Sequence, residues 1–197
     1  RAWKKIMIAV EGIYSMEGEY VDLPGVVAVA RKYRCYVYLD EAHSIGAMGP
    51  SGRGIVDHWK SKGAAVDFSD IDVMMGTFTK SFGAMGGYLA GTKALVDHVR
   101  KHTAGFVFDN AMSPIVCQQI ITSLAVIKSE GKFAAKTRDG GRKTIGQSKL
   151  EQLRENARHF RTGLINMGLE VFGEEESPVI PVMLYNPTKI AAFSRLC

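Results

Sequence analysis

The sequence predicts an α/β fold, a mostly parallel sheet flanked by helices, and three observations predict it. Short apolar runs alternate with helix-like segments along the chain. Three of those runs end directly in reactive side chains, as strands do when their carboxyl ends border a ligand. The composition is that of an ordinary globular protein, with 46% hydrophobic and 23% charged residues among 197.

The elements follow in order. Ile6–Val10 is short, apolar and strand-like. Leu23–Tyr33 reads as a helix, opened by Asp22 as the N-cap with Pro24 just inside. Cys35–Leu39 is β-branched and aromatic and ends at Asp40, and Asp72–Gly76 and Gly87–Ala90 are two further strands. Thr92–His102 and Pro114–Lys128 read as helices, the second capped by Ser113. The run Gly105–Phe108 reads as one more strand. Ser148–Met167 is a longer amphipathic helix with Leu150, Leu153, Ala157, Phe160 and Leu164 on one face. Val179–Tyr185 is the last strand, and a helical run begins after Asn186-Pro187.

The chain begins at Arg1 and ends at Cys197 inside that run, so it is expected to be a piece of a longer protein. Residues 1–133 are expected to be the C-terminal part of a large domain, and residues 134–197 the beginning of a small C-terminal α+β domain. The net charge of +5 comes from one stretch, where Lys128, Lys132, Lys136, Arg138, Arg142, Lys143 and Lys149 face only Glu130 and Asp139. That stretch contains glycine and lacks periodicity, so it reads as a solvated loop. Only Phe133 interleaves with its charges, which argues against nucleic acid. Cys35, Cys117 and Cys197 have no metal-ligand spacing and read as free thiols in a reducing compartment, and no metal site is expected. No apolar run approaches the roughly 18 residues that a membrane span requires.

The reactive residues follow the strands. The first strand runs into Glu11-Gly12-Ile13-Tyr14-Ser15, the second into Asp40-Glu41-Ala42-His43, and the third into Thr77-Phe78-Thr79-Lys80. A carboxylate, an imidazole, hydroxyls and an amine are thereby expected on one sheet edge. Between Phe78 and Phe82, Lys80 is expected to lose solvation and become a nucleophilic amine able to form a Schiff base. Pyridoxal phosphate is the cofactor this combination suits, because its ring nitrogen needs a carboxylate partner that Asp40 can supply. Gly83, Gly86 and Gly87 leave room for a phosphate. Each residue has a plainer reading: Lys80 as a surface lysine, His43 as a packed loop histidine, Ser15 and Thr77 as turn or strand-end caps. Glu11 and Arg53 are read as structural.

A rival comes from Asp40-Glu41-Ala42-His43, which also fits the acidic motif of a helicase-type ATPase. Such an enzyme needs a phosphate loop, and the Lys-Ser pair nearest the site, Lys80-Ser81, follows Thr79 rather than glycine and lies after the acidic motif. A non-catalytic interaction subunit is the reading from another class, against which the joint presence of Lys80, Asp40 and His43 speaks.

Larger blocks carry a resemblance. The segments from Val10 to Gly18, from Leu39 to Gly46 and from Gly49 to Gly54 resemble successive blocks of the α-oxoamine synthases, pyridoxal-phosphate enzymes of the aspartate aminotransferase fold (fold type I). The block from Asp72 to Gly83 is narrower, and with Ser177 to Pro187 it resembles the lysine-bearing subunits of the eukaryotic serine palmitoyltransferases, one branch of that family. The resemblance spans essentially the whole chain. It implies that Lys80 forms the Schiff base and later moves the Cα proton, and that Asp40 pairs with the ring nitrogen. It places His43 and Ser15 near the phenolic oxygen and Thr77 at the phosphate. It implies L-serine and a long-chain acyl-CoA as substrates and a heterodimer with a lysine-lacking companion subunit. It also implies the cytosolic face of the endoplasmic reticulum membrane, with attachment through segments outside this chain. Another α-oxoamine synthase is the alternative within the family. The chain departs from the family at Phe108-Asp109-Asn110-Ala111, where a carboxylate replaces the residues expected beside the partner's phosphate. The family's ring-stacking histidine and carboxylate-binding arginine have no counterpart here, and the piece alone is expected to be inactive.

Overall fold

The computed structural model describes residues 3–134 and 143–196. Lys136, Arg138, Asp139 and Arg142 of the basic stretch lie outside the described residues, as does Cys197.

Four strands form one sheet: β1 (Met7–Glu11), β2 (Tyr36–Asp40), β3 (Val73–Thr77) and β4 (Gly87–Gly91), in the order β1-β2-β3-β4. The first three are parallel, with Glu11 beside Asp40 and Asp40 beside Met75, and β4 runs antiparallel to β3. Side chains alternate across a strand. Val37 and Leu39 therefore face one side, and Tyr36, Tyr38 and Asp40 the other.

The first side is the core. Helix α1 (Leu23–Tyr33) crosses from β1 to β2, and α2 (Ile55–Ser61) lies between β2 and β3. Leu23, Val27 and Ala30 of α1 and Ile55 and Val56 of α2 pack with Val37 and Leu39 in one buried cluster. Successive parallel strands laid down in one direction, each joined by a right-handed crossover, put both connections on the same face. The helix starts are fixed locally. Asp22 accepts from the Gly25 N–H at 3.2 Å, and Pro24 stands where no donor is needed. The sequence did not foretell α2, whose seven residues are too short to show a period.

Beyond the sheet come α3 (Lys93–His102), α4 (Ala104–Phe108), α5 (Pro114–Lys128), α6 (Ile145–Asn166) and α7 (Pro187–Leu196). Thr144 and Gln147 form a reciprocal capping box, so α6 starts three residues before the expected Ser148. Two expected strands are not formed. Gly105–Phe108 lies within α4, whose Asp109 N–H donates to the Gly105 carbonyl. Among the described residues no strand pairs with this run, so its backbone bonds close locally. Val179–Tyr185 makes only an isolated bridge, Val171 to Val182, flanked by bonds to Phe172 and Glu170. Pro181 has no N–H to extend a ladder, and Tyr185 turns the chain at φ +55°.

The C-terminal part is tied back onto the sheet domain. Arg161 of α6 is buried and donates to the carbonyls of Phe172 at 2.8 Å and Glu174 at 3.0 Å. The Glu174 N–H in turn donates to the Gly18 carbonyl. Lys62, just past α2, pairs with Glu176 at 2.7 Å.

Leu39 is fully buried at the centre of the core. Leu39→Ala is expected to cost about 2–5 kcal/mol of stability, through lost burial and a cavity the sheet cannot collapse. Urea denaturation of the variant beside the parent protein measures it; a midpoint unchanged at constant slope would contradict this placing of the core.

Candidate active site

Parallel pairing brings the carboxyl ends of β1, β2 and β3 to one edge, and the loops that follow carry the reactive residues. Glu11 and Asp40 are register partners, so their side chains stand together on the face opposite the core. With Tyr14 and Tyr38 they line a recess of about 240 Å³. The Asp40 carboxylate accepts the Ala42 N–H at 2.8 Å through Oδ1, which turns the chain at the strand end and fixes the side chain.

His43 follows in that turn and is half-buried. It lines a second cavity of about 370 Å³ with Lys80, Ser81, Gly46, Ala47 and, from the C-terminal part, Leu153, Pro178 and Val179. Burial lowers the His43 pKa below its ordinary value and the Lys80 ammonium lowers it further, while the Glu11 and Asp40 carboxylates oppose them. The four charged or titratable side chains thus act on one another across the sheet edge.

Lys80 lies in the turn between β3 and β4 and is exposed. The expected desolvation by its aromatic neighbours is not what the turn provides. Phe78 and Phe82 meet edge to face at 5.2 Å, and Phe78 also contacts Tyr88 at 5.4 Å. The rings satisfy one another and leave the amine in solvent. Thr77 is absorbed into the same turn: its hydroxyl meets Thr79 Oγ1 at 2.8 Å and the Gly86 carbonyl at 3.1 Å. Ser15 is exposed on the hairpin closed by the Ile13–Tyr20 bridge, and its N–H donates to Glu11 Oε2 at 3.4 Å. Lys80, His43 and Asp40 are therefore gathered closely, with Ser15 and Thr77 at the borders of the edge. Among the described residues no group of three or more His, Cys, Asp or Glu side chains could hold a metal ion.

The sequence model of the "Aminotransferase class I and II" family matches residues 1–196. The chain belongs to that family. The match removes the ATPase alternative, because Asp40-Glu41-Ala42-His43 lies inside the matched residues. "Serine palmitoyltransferase 2" of Dictyostelium discoideum is 49% identical over 197 residues, covering 100% of this chain and 37% of that protein. "Long chain base biosynthesis protein 2d" of Oryza sativa subsp. japonica is 51% identical with the same coverages. The chain thus spans little more than a third of these relatives. Among solved structures, serine palmitoyltransferase from S. paucimobilis with a bound PLP–myriocin aldimine superposes with a TM-score of 0.76 at 30% identity, over 95% of this chain and 43% of that one.

Within this aminotransferase-family chain, two residues that the sequence did not single out border the same edge. Tyr88 of β4 lies over Gly76, where a Cβ would come within 2.5 Å of its ring, and burial with the Glu41 and Asp40 charges pushes its pKa to about 12. Glu41 is 0% exposed. Its carboxyl accepts from the Ser44 hydroxyl and, at 3.0–3.1 Å, from the Ile55 N–H. Burial raises its pKa from 4.5 to about 7 against those hydrogen bonds, and the neighbouring Asp40 charge adds to the rise. A run reading Asp-Glu-Ala-His draws attention to its ends. Only the burial of the second position marks this residue.

A raised folded pKa makes the Glu41 contribution to stability fully present below about pH 4.5 and lost as pH rises through about 7. Glu41→Gln cannot ionise and is expected to flatten this fall, with a full swing on the order of 3 kcal/mol. Thermal unfolding of both proteins at pH 5 and pH 8 measures it. The variant should gain on the parent at pH 8, and a gap independent of pH would show that Glu41 does not titrate in this range.

Proposed function

We propose that the protein containing this chain holds pyridoxal phosphate on Lys80 and condenses L-serine with a long-chain fatty acyl-CoA. The condensation releases CO2 and CoA and gives 3-ketosphinganine, the first step of sphingolipid synthesis. The observation that carries the reading is the gathering of Lys80, His43 and Asp40 at the carboxyl edge of a parallel sheet of the aminotransferase type. The names of the relatives support the same chemistry.

The residues fit the cofactor. Lys80 is an exposed primary amine at a cavity mouth, free to reach an aldehyde. Asp40 presents an anchored carboxylate for a ring nitrogen. The turn after Lys80 holds Gly83 and Gly86 at positive φ, where Cβ-free backbone can approach a phosphate. When bound, pyridoxal phosphate supplies an electron sink for the pair left at the serine Cα. Lys80 would hold the cofactor through its aldehyde, and the same amine is placed to move a proton at the serine Cα. The Asp40 carboxylate would stand opposite the ring nitrogen and favour a proton there. His43, whose charged form is disfavoured by burial and by Lys80, would offer a hydrogen bond beside the ring. Ser15 would contribute a hydroxyl at the phenolic oxygen, and Thr77 would serve the phosphate by giving up its bond to the Gly86 carbonyl.

The partner in this reading is a lysine-lacking companion subunit. Phe106, Val107, Phe108 and Ile115 are 67–83% exposed, and such an apolar surface suits a protein interface. The proposed location is the cytosolic face of the endoplasmic reticulum membrane. No helix among the described residues is long and apolar enough to cross a membrane, and membrane association is assigned to segments outside them. The proposed division places the large cofactor-binding domain at 1–133 and the small domain from 134 onward.

Borohydride reduction of the full-length protein with pyridoxal phosphate is expected to fix the label on Lys80, read by peptide mapping. Label on another lysine, or none, would sink the reading.

Asp40→Asn is expected to retain the cofactor while turnover falls about 10²–10³-fold, the usual loss when a preorganised charge partner is removed. Steady-state kinetics with serine and palmitoyl-CoA measures this, and near-normal turnover would free Asp40 of the role.

A further inference from the structure

Three separate stretches of sequence meet on one carboxyl group. Glu41 continues the β2–β3 ladder by one residue, its N–H donating to the Met75 carbonyl at 2.7 Å. Its side chain turns into the interior, away from the face that carries Asp40. There it accepts the Ser44 hydroxyl from the loop of His43 and the N–H of Ile55, the first residue of α2. Gly12, from the loop of Ser15, donates its N–H to the Asp40 carbonyl at 2.7 Å. A Cβ at Gly12 would collide with Ser44 Oγ and lie 3.0 Å from Glu41 Oε2, and one at Gly54 would lie 2.5 Å from Glu41 Cδ. Both glycines leave room for this carboxyl, and Gly54 also stands at φ +86°.

An acid is a costly means of filling a core. A buried carboxyl must be hydrogen-bonded or neutralised, and an apolar residue of like volume would usually serve stability as well. What an apolar residue cannot do is tie the turn after β2 to the first residue of α2 by hydrogen bonds. His43 lies between the anchors Glu41 and Ser44, and Asp40 directly precedes the first. Backbone bonds close the turn on itself, the Ser44 and Ile45 N–H groups donating to the Glu41 carbonyl, and Asp40 has its own bond to the Ala42 N–H; the Glu41 carboxyl adds the tie from this turn to α2, while His43 itself is only half-buried.

We propose that Glu41 is a positioning residue, whose buried carboxyl holds Asp40 and His43 in the geometry that receives the cofactor by tying their turn to Ser44 and to the start of α2. The role assigned to the cofactor rests on the proposed function, whereas the effect on His43 does not.

The test compares Glu41→Ala, Glu41→Gln and Ser44→Ala in the full-length protein. Gln keeps a carbonyl for the Ile55 N–H and offers its amide to Ser44 Oγ, so it should restore what Ala loses. In the cofactor-free protein, the His43 titration followed by NMR reports the turn. Glu41→Ala is expected to return the His43 pKa upward to the ordinary histidine value, and Glu41→Gln to leave it depressed. With pyridoxal phosphate added well below the unfolding temperature, Glu41→Ala is expected to bind about tenfold more weakly or worse, in the range that loss of a supporting partner costs at other sites. Glu41→Gln should stay within about threefold of the parent on the same scale. Ser44→Ala, which removes one donor and little volume, should move both readouts part of the way; if Glu41→Ala does not fold, it decides alone. A folded Glu41→Ala with the parent's His43 titration and cofactor affinity would overturn the proposal and leave Glu41 an ordinary core residue. Should the parent itself bind no pyridoxal phosphate, the proposed function fails, and the His43 titration still decides the positioning role.

Discussion

The two-residue period of β2, held between two parallel neighbours, is the constraint from which the rest of the arrangement follows. Val37 and Leu39 must face α1 and α2, because burying them supplies the cohesion of the sheet domain. Tyr38 and Asp40 are then compelled to the other face, and Asp40 arrives there at the last position of the strand. A slip of one residue would send the carboxylate into the core and leucine to the cavity. Packing therefore determines the placing of the charged group as firmly as any contact made within the site.

The edge combines two opposite electrostatic environments within four residues. Asp40 is partly solvated, and its carboxylate is held by one backbone N–H. Glu41, beside it, is sealed from water, and its acid is held near neutrality by burial. Adjacent carboxyls with environments this different can take different tasks, one facing a ligand and one organising backbone. Lys80 approaches from the third strand and His43 from the second, so their relative position depends on β2–β3 pairing rather than on any single loop.

The C-terminal part reaches the same edge. Arg161 holds the segment around Phe172 and Glu174, that segment hydrogen-bonds Gly18, and Pro178 and Val179 line the cavity that Lys80 and His43 share. The Lys62–Glu176 pair adds a surface tie that by itself contributes at most about 1 kcal/mol. The larger contribution comes from the buried arginine, whose guanidinium is hydrogen-bonded to two backbone carbonyls. A change in the position of the C-terminal part would alter the wall of the cavity directly.

Much of this was legible in the chain itself. Short apolar, β-branched and aromatic runs marked the four strands, Asp22 and Ser113 marked two helix starts, and Lys80, His43 and Asp40 stood out among the reactive residues that follow strand ends. These signals are local, carried by a side chain's neighbours in sequence. What only the tertiary structure decided depended on partners distant in sequence. Gly105–Phe108 has strand-forming residues but closes into a helical turn, since no strand among the described residues pairs with it. Phe78 and Phe82 pack on each other and leave Lys80 in solvent, which residue type alone does not reveal. Thr77 was named for its hydroxyl, and the turn uses that hydroxyl internally. Glu41 was hidden inside a familiar tetrapeptide, because its importance lies in burial against Gly12, Ser44 and Ile55. Sequence determines which groups a strand end carries; three-dimensional packing decides which are solvated, which are anchored and which are shut away from water.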